Sequence, residues 1–160
     1  MPELSHLDAQ GDVRMVDVAA KPITARSATA RAVVMLPPAC AEVLAKGGDT
    51  AKGNVLQVAR IAGIQAAKRT SDLIPLCHQI PLDGVSVDLR LAGSRLEISA
   101  TARCHGRTGV EMEALTAASV AALVVYDMLK AVSHDLVITG IELLAKDGGR
   151  SGQLTRHPHD

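Results

Sequence analysis

Asp127 and Lys130 stand three residues apart in VVYDMLKAV, so on a helix they share a face. A carboxylate and an ammonium one turn apart are a ready base and acid. They are also, more simply, an exposed intrahelical ion pair worth about 0.3–0.5 kcal/mol. The neighbourhood argues against the simpler reading. Tyr126, Met128, Leu129 and Val132 make this segment apolar nearly all round. Charges in such surroundings carry a desolvation cost, which predicts a cleft or an interface. Glu111 and Glu113 occupy the other end of the same segment. Glu113 and Asp127 are nearly four turns apart, on similar faces but separated by about 21 Å. One chain cannot gather both at one small substrate through this helix, whereas two antiparallel copies can.

A second candidate group is Leu76-Cys77-His78, held between Pro75 and Pro81 on a backbone that cannot be a regular helix. His78 is a candidate acid or base by residue type, and a hydrogen-bonded structural histidine is the alternative. Cys104-His105 repeats the dipeptide and invites a zinc reading. Neither pair has the usual C-x2–4-C spacing, so the cysteines read more simply as strand and packing residues. The sequence shows no dedicated metal-ligand cluster and implies no cofactor. Lys52, Lys146 and Arg150 lie in or beside glycine-bearing loops, where long side chains and backbone amides can converge on an anion. Lys68-Arg69 ends a helical pattern, where cations suit the macrodipole. Arg60 and Arg107 complete the basic set, and solvated surface is the competing reading for each. There is no G-x-x-x-x-G-K-[ST] and no G-x-G-x-x-G, so a bound nucleotide would not rest on a P-loop or Rossmann turn.

These residues must be positioned by a chain of 160 residues, enough for one domain that buries roughly two-thirds of its unfolded surface. It is 48% hydrophobic and 21% charged, which predicts a globular chain. It has no Trp, no Phe and one Tyr, so base stacking on aromatic side chains is excluded and the core must be aliphatic and alanine-rich. Lys plus Arg equals Asp plus Glu at 17 each, unlike a protein that coats nucleic acid. The start MPELSHLD has no apolar leader, and Cys40, Cys77 and Cys104 are odd in number. Both predict reduced thiols and a cytoplasmic protein. The longest apolar run, 114–126, falls short of the about 20 residues that span a bilayer, so no membrane partner is expected.

The patterns predict a strand over 25–35, a helix over 38–46 after Pro37-Pro38, a small-residue loop over 49–54, and a helix over 55–68. Residues 69–72 break that helix. A hairpin follows over 85–91 and 96–104, with Val85, Val87, Leu89, Leu91, Leu96, Ile98, Ala100 and Ala102 on one face. Then come a loop over 105–110, a long helix over 111–132 and a last strand over 136–145. Residues 1–24 read as a flexible arm with MVDV as a docking point, 25–150 as a single catalytic domain, and 151–160 as a flexible tail. The order predicts an α+β fold, ferredoxin-like, with a mainly antiparallel sheet and helices packed on one face.

The runs VARIAGIQAAKRTSDLIPLCH and GRTGVEMEALTAASVAALVVYDMLKAV, with MVDV, AKGN and IELLAKDGG, resemble the molybdenum cofactor biosynthesis protein C family over nearly the whole chain. The resemblance implies a cytoplasmic cyclic pyranopterin monophosphate synthase. That enzyme acts on cyclised dihydro-GTP, releases pyrophosphate and works as a hexamer of three dimers with interface active sites. It implies catalytic roles for Asp127, Lys130 and Lys52. It implies substrate contacts at Leu76, Cys77, His78, Glu111, Met112 and Glu113, and phosphate-facing positions at Lys68 and Lys146. A catalytically silent pterin- or nucleotide-binding module is the alternative. Gln79, Asn54 and Asp147 depart from the family's usual residues, and Asp147 adds negative charge near the expected phosphate region.

Overall fold

The structure is a computed structural model and describes residues 10–150 and 152–159. Residues 1–9 of the expected arm, and 151 and 160 of the expected tail, lie outside the described residues. The chain runs β1 (Thr24–Met35), α1 (Pro38–Ala45), β2 (Asp49–Thr50), β3 (Gly53–Asn54), α2 (Val55–Ala67), α3 (Thr70–Leu73), β4 (Gly84–Ala92), β5 (Arg95–Gly106), α4 (Glu111–Leu129), β6 (Val137–Asp147) and β7 (Leu154–Thr155).

The fold is α+β. Five strands form one sheet in the order β4-β5-β1-β6-β7, every neighbouring pair antiparallel. Among the four long strands, α1, α2 and α3 lie between β1 and β4, β4 and β5 form a hairpin, and α4 lies between β5 and β6. Alternation sets the buried face: Ala28, Ala30, Ala32 and Val34 of β1 and Leu96, Ile98, Ala100 and Ala102 of β5 all point into the core. Ala28 faces Ala102 and Ala30 faces Ala100 across the strands. That leaves a shallow floor on which α4 lies, burying Ala114, Ala117, Ala118, Ala121, Ala122 and Val125. By length and composition alone α4 could cross a bilayer, yet it is the core helix of this layer. On β4, an edge strand, Val87 is buried while Val85, Leu89 and Leu91 are half-buried.

Several local expectations are corrected. The loop over 49–54 is a small hairpin, β2 and β3, whose turn carries Lys52. The break at 69–72 folds into the single turn α3, with Thr70 Oγ1 donating to the Ala67 carbonyl at 3.0 Å. The long helix stops at Leu129 with Lys130 as its C-cap, so residues 131 and 132 lie past its end. The tail, loop-like in composition, adds β7 against β6. Asn54 caps α2: its Oδ1 accepts from the Gln57 amide at 3.1 Å, while its Nδ2 donates to the Gly47 carbonyl at 2.7 Å. Aspartate would keep the cap and lose the second bond.

α2 and α4 cross antiparallel, and Gly63 marks the closest approach. A Cβ there would lie 2.9 Å from the Ala117 carbonyl oxygen, 3.1 Å from Val87 Cγ2 and 3.3 Å from Ala121 Cβ. The first of these is backbone and cannot swing aside. Gly63→Ala should therefore destabilise the protein by about 1–3 kcal/mol despite alanine's higher helix propensity. The check is a lowered urea midpoint at fixed protein concentration.

Candidate active site

The antiparallel crossing sends the start of α2 to the end of α4, and the end of α2 towards the start of α4. At the first of these junctions the β2–β3 turn presents Lys52. Its ammonium donates to Asp127 Oδ2 at 2.9 Å and to the Asp127 backbone carbonyl at 3.0 Å. Lys130 Nζ lies 2.7 Å from the other carboxylate oxygen, Oδ1. Asp127 is thus clamped between two ammonium groups, and all three side chains are about half exposed. The hydrogen bond from Lys130, then that from Lys52, holds the Asp127 carboxyl down at about 2. The same bond with Asp127 pushes Lys130 up. At neutral pH the free site holds a carboxylate and a protonated lysine. Spacing alone joined Asp127 to Lys130, and the fold adds Lys52 to the pair.

At the second junction, Glu111 and Glu113 fill the first turn of α4. No side chain caps that helix, so its amino end favours their negative charge. Lys146 on β6 reaches Glu111 Oε1 at 2.9 Å. Glu113 is only 3% exposed. Burial, helped by the charge of Glu111 and opposed by its own backbone N–H, raises its carboxyl to about 6. Leu76, Cys77, His78, Glu111, Met112 and Glu113 line one cavity of about 410 Å³, closed on one side by Val16 and Val18 of the arm. The MVDV segment does dock there. Burial, then the charge of Glu113, pushes the Cys77 thiol up. Cys77 therefore sits beside the site as a thiol, not as an activated nucleophile.

Beside it lies a cavity of about 480 Å³ that shares Lys21, Thr108, Gly109 and Glu111 with the first. Arg26, Arg107 and Arg150 join Lys21 in its wall, against Glu111 as the one acid lining it among the described residues. Arg26 is held rigidly: Nε donates to the Gly106 carbonyl at 3.0 Å and Nη2 to that of Arg107 at 3.2 Å. Gly149, at φ +76°, wraps its guanidinium so closely that a Cβ would lie 2.2 Å from Nη1. Thr24 Oγ1, buried in the same wall, has no hydrogen-bond partner among the described residues. Such a cavity accepts a polyanion.

Sequence reasoning missed Lys21 and Arg26. One sits in a polar arm and the other reads as a strand charge. The available signal was strand register, since Arg26 pairs with Cys104, close to the 105–110 loop. Lys68 is exposed at the C-cap of α2 and lines neither cavity. Asp147 does not line the arginine-lined cavity: its Oδ1 accepts from the Gly148 amide at 2.8 Å, and it lines an adjoining hollow with Arg103 and His105, with Arg26 bordering both. Cys104 is buried in the core while His105 points out to Asp83 Oδ2 at 2.6 Å, so that pair does not converge. Among the described residues no group of three His, Cys, Asp or Glu could hold a metal ion.

The displaced Glu113 carboxyl has a consequence for stability. Its folded value of about 6 exceeds the 4.5 of an unperturbed glutamate, so the folded state favours the protonated form. That contribution is complete below pH 4.5 and is lost as pH rises through about 6. Wild-type protein should lose on the order of 2 kcal/mol across this window through Glu113. Glu113→Gln, neutral throughout, should lose that much less, as measured by urea unfolding at a series of pH values.

The chain is similar to known proteins along nearly its whole length. The cyclic pyranopterin monophosphate synthase of Chloroflexus aggregans is 58% identical over 156 residues, covering 96% of this chain and 94% of that protein. The same-named protein of Thermomicrobium roseum is 57% identical over 158 residues, covering 98% and 95%. Molybdenum cofactor biosynthesis protein 1 of Drosophila melanogaster is 55% identical over 160 residues, which cover 99% of this chain and 28% of that larger protein. The profile described as the MoaC family matches residues 15–149, spanning both junctions of α2 with α4 and every lining residue of the two cavities except Arg150, and the chain belongs to that family.

Proposed function

We propose that this protein is a cyclic pyranopterin monophosphate synthase, a lyase that converts 3′,8-cyclised dihydro-GTP into cyclic pyranopterin monophosphate with release of pyrophosphate. The observation that carries this reading is the junction of two cavities. One is walled by Lys21, Arg26, Arg107 and Arg150; the other holds His78 and a carboxyl poised near neutrality. A triphosphate suits the first, and a purine-derived ring undergoing proton transfers suits the second.

The chemistry assigns work to named groups. Closing the cyclic phosphate joins a sugar hydroxyl oxygen to the α-phosphorus, breaks the bond to the β-phosphate and sends the hydroxyl proton to a base. Charge develops on the departing pyrophosphate, and the arginines and Lys21 stabilise it where it forms. Glu113 exchanges protons near neutral pH at little cost, with His78 beside it. Lys52, Asp127 and Lys130 act from a neighbouring copy: the two ammonium groups stabilise charge and can give up a proton, and the Asp127 carboxylate can accept one, once substrate enters the clamp. Leu76, Cys77, Glu111 and Met112 shape the ring site. Lys146 holds Glu111 in place. Lys68 faces phosphate only across a subunit boundary.

A shared site makes the protein a homo-oligomer, here a hexamer built as a trimer of dimers. Two observations support association between copies: the span of about 21 Å between the acidic ends of α4, and the exposed apolar Ile61 and Leu123 on the helical layer; the hexamer is what the family resemblance implies. The three unpaired cysteines fit a cytoplasmic setting.

Purified protein incubated with the cyclised dihydro-GTP should yield pyranopterin, read as its oxidised fluorescent derivative. Substrate bound without product would favour the silent binding module. Asp127→Asn and Lys130→Ala should each lower turnover by about 100-fold or more with assembly intact. Mixing Lys130→Ala with Glu113→Ala subunits should restore part of the activity. No recovery after confirmed subunit exchange would refute sites shared between chains.

A further inference from the structure

Residues 16–21 lie along the His78 cavity without regular secondary structure. Val16 and Val18 are half-buried there, while Val13 and Met15 before them are exposed. Polar bonds do most of the holding. His78 Nε2 is 2.7 Å from the Val16 carbonyl oxygen, and Arg107 Nε donates to the Lys21 carbonyl at 3.2 Å. Within the segment, the Ala19 amide donates to Asp17 Oδ1 at 2.8 Å and the Lys21 amide to the Val18 carbonyl at 3.0 Å. The two outside donors belong to the loops that build the two cavities.

A carbonyl oxygen only accepts, so the bond to Val16 requires a hydrogen on Nε2 whatever the charge of the ring. When His78 is neutral, its basic atom is then Nδ1. We propose that Val16 is a positioning residue: its backbone carbonyl holds His78 as the Nε2–H tautomer, leaves Nδ1 as the proton-accepting atom, and by the same bond fastens the arm along the cavity. The part of this concerning Nδ1 in turnover rests on the synthase reading; the tautomer and the fastening do not.

Two variants separate the functions. The amide nitrogen of glutamine reaches the position of Nε2 and can keep the bond to Val16, but it has no atom equivalent to Nδ1. Alanine has neither. In full-length protein without substrate, amide hydrogen exchange at Val18, Ala19 and Lys21 should match wild type in His78→Gln. It should be roughly fivefold faster in His78→Ala, the effect of losing one net hydrogen bond. Nitrogen-15 spectra of wild type should show neutral His78 protonated at Nε2. Turnover should be lost in both variants. A neutral His78 protonated at Nδ1, or equal exchange in wild type and His78→Ala, overturns the proposal. Full turnover in His78→Gln overturns the role of Nδ1. If wild type makes no product, the synthase reading fails, while exchange and tautomer still decide the strap.

Discussion

The close crossing of α2 on α4 is the constraint on which the candidate site depends. It exists because the residues at the contact are small: Gly63, with Ala59, Ala66 and Ala67, against Ala117 and Ala121. A core without Phe or Trp and rich in alanine leaves little bulk between layers, so backbones approach and their direction is fixed. Because the helices run antiparallel, everything attached to the ends of α2 is placed by this contact. The turn before α2 brings Lys52 to Asp127. The loop after it brings Cys77 and His78 to Glu113. A rotation or lateral shift at Gly63 would be felt at both ends.

Those ends have opposite electrostatic character, and α4 itself explains part of it. Glu111 and Glu113 lie where the helix dipole welcomes negative charge, and Lys130 where it welcomes positive charge. Asp127 sits in the last turn, where the dipole repels a carboxylate. Two ammonium groups reverse that effect and hold it ionised. Glu113 is favoured by the dipole but buried, and burial prevails. One carboxyl is thus fixed as a charge and the other is poised to titrate. If a second copy brings the two carboxyls to one site, such divergence lets that site both stabilise charge and transfer protons.

How much of this was legible depended on sequence distance. Asp127 with Lys130 is a helical repeat, and the 84–106 hairpin is a clean alternation, so both appeared in local pattern. Lys52 meets Asp127 across 75 positions, and Arg26 meets Arg107 across 81, with no periodicity to announce either. The strand β7 was hidden because two residues borrow their structure from β6 and show no signal of their own. Departures from the family pattern became readable only in place. Asn54 keeps the cap that an aspartate would make. Strand alternation points Lys146 toward Glu111 while Asp147 turns to its own following amide, so the added charge avoids the arginine-lined cavity. Gln79 is exposed beside His78.

A helix is a rod, and this sets the last step. Loops can close over a substrate, but no loop motion shortens the about 21 Å between Glu113 and Asp127 on a helix buried against a sheet. If both ends serve one reaction, the second end comes from another copy. Assembly is then part of the site itself, and catalytic competence follows subunit concentration as stability does in any obligate oligomer. The same requirement gives the exposed Ile61 and Leu123 a purpose, because an interface that unites two α4 ends must cover the helical layer that carries them. In such an assembly Lys52 and Lys130, half exposed in one chain, would lose water on closure, and their charges would act more strongly there.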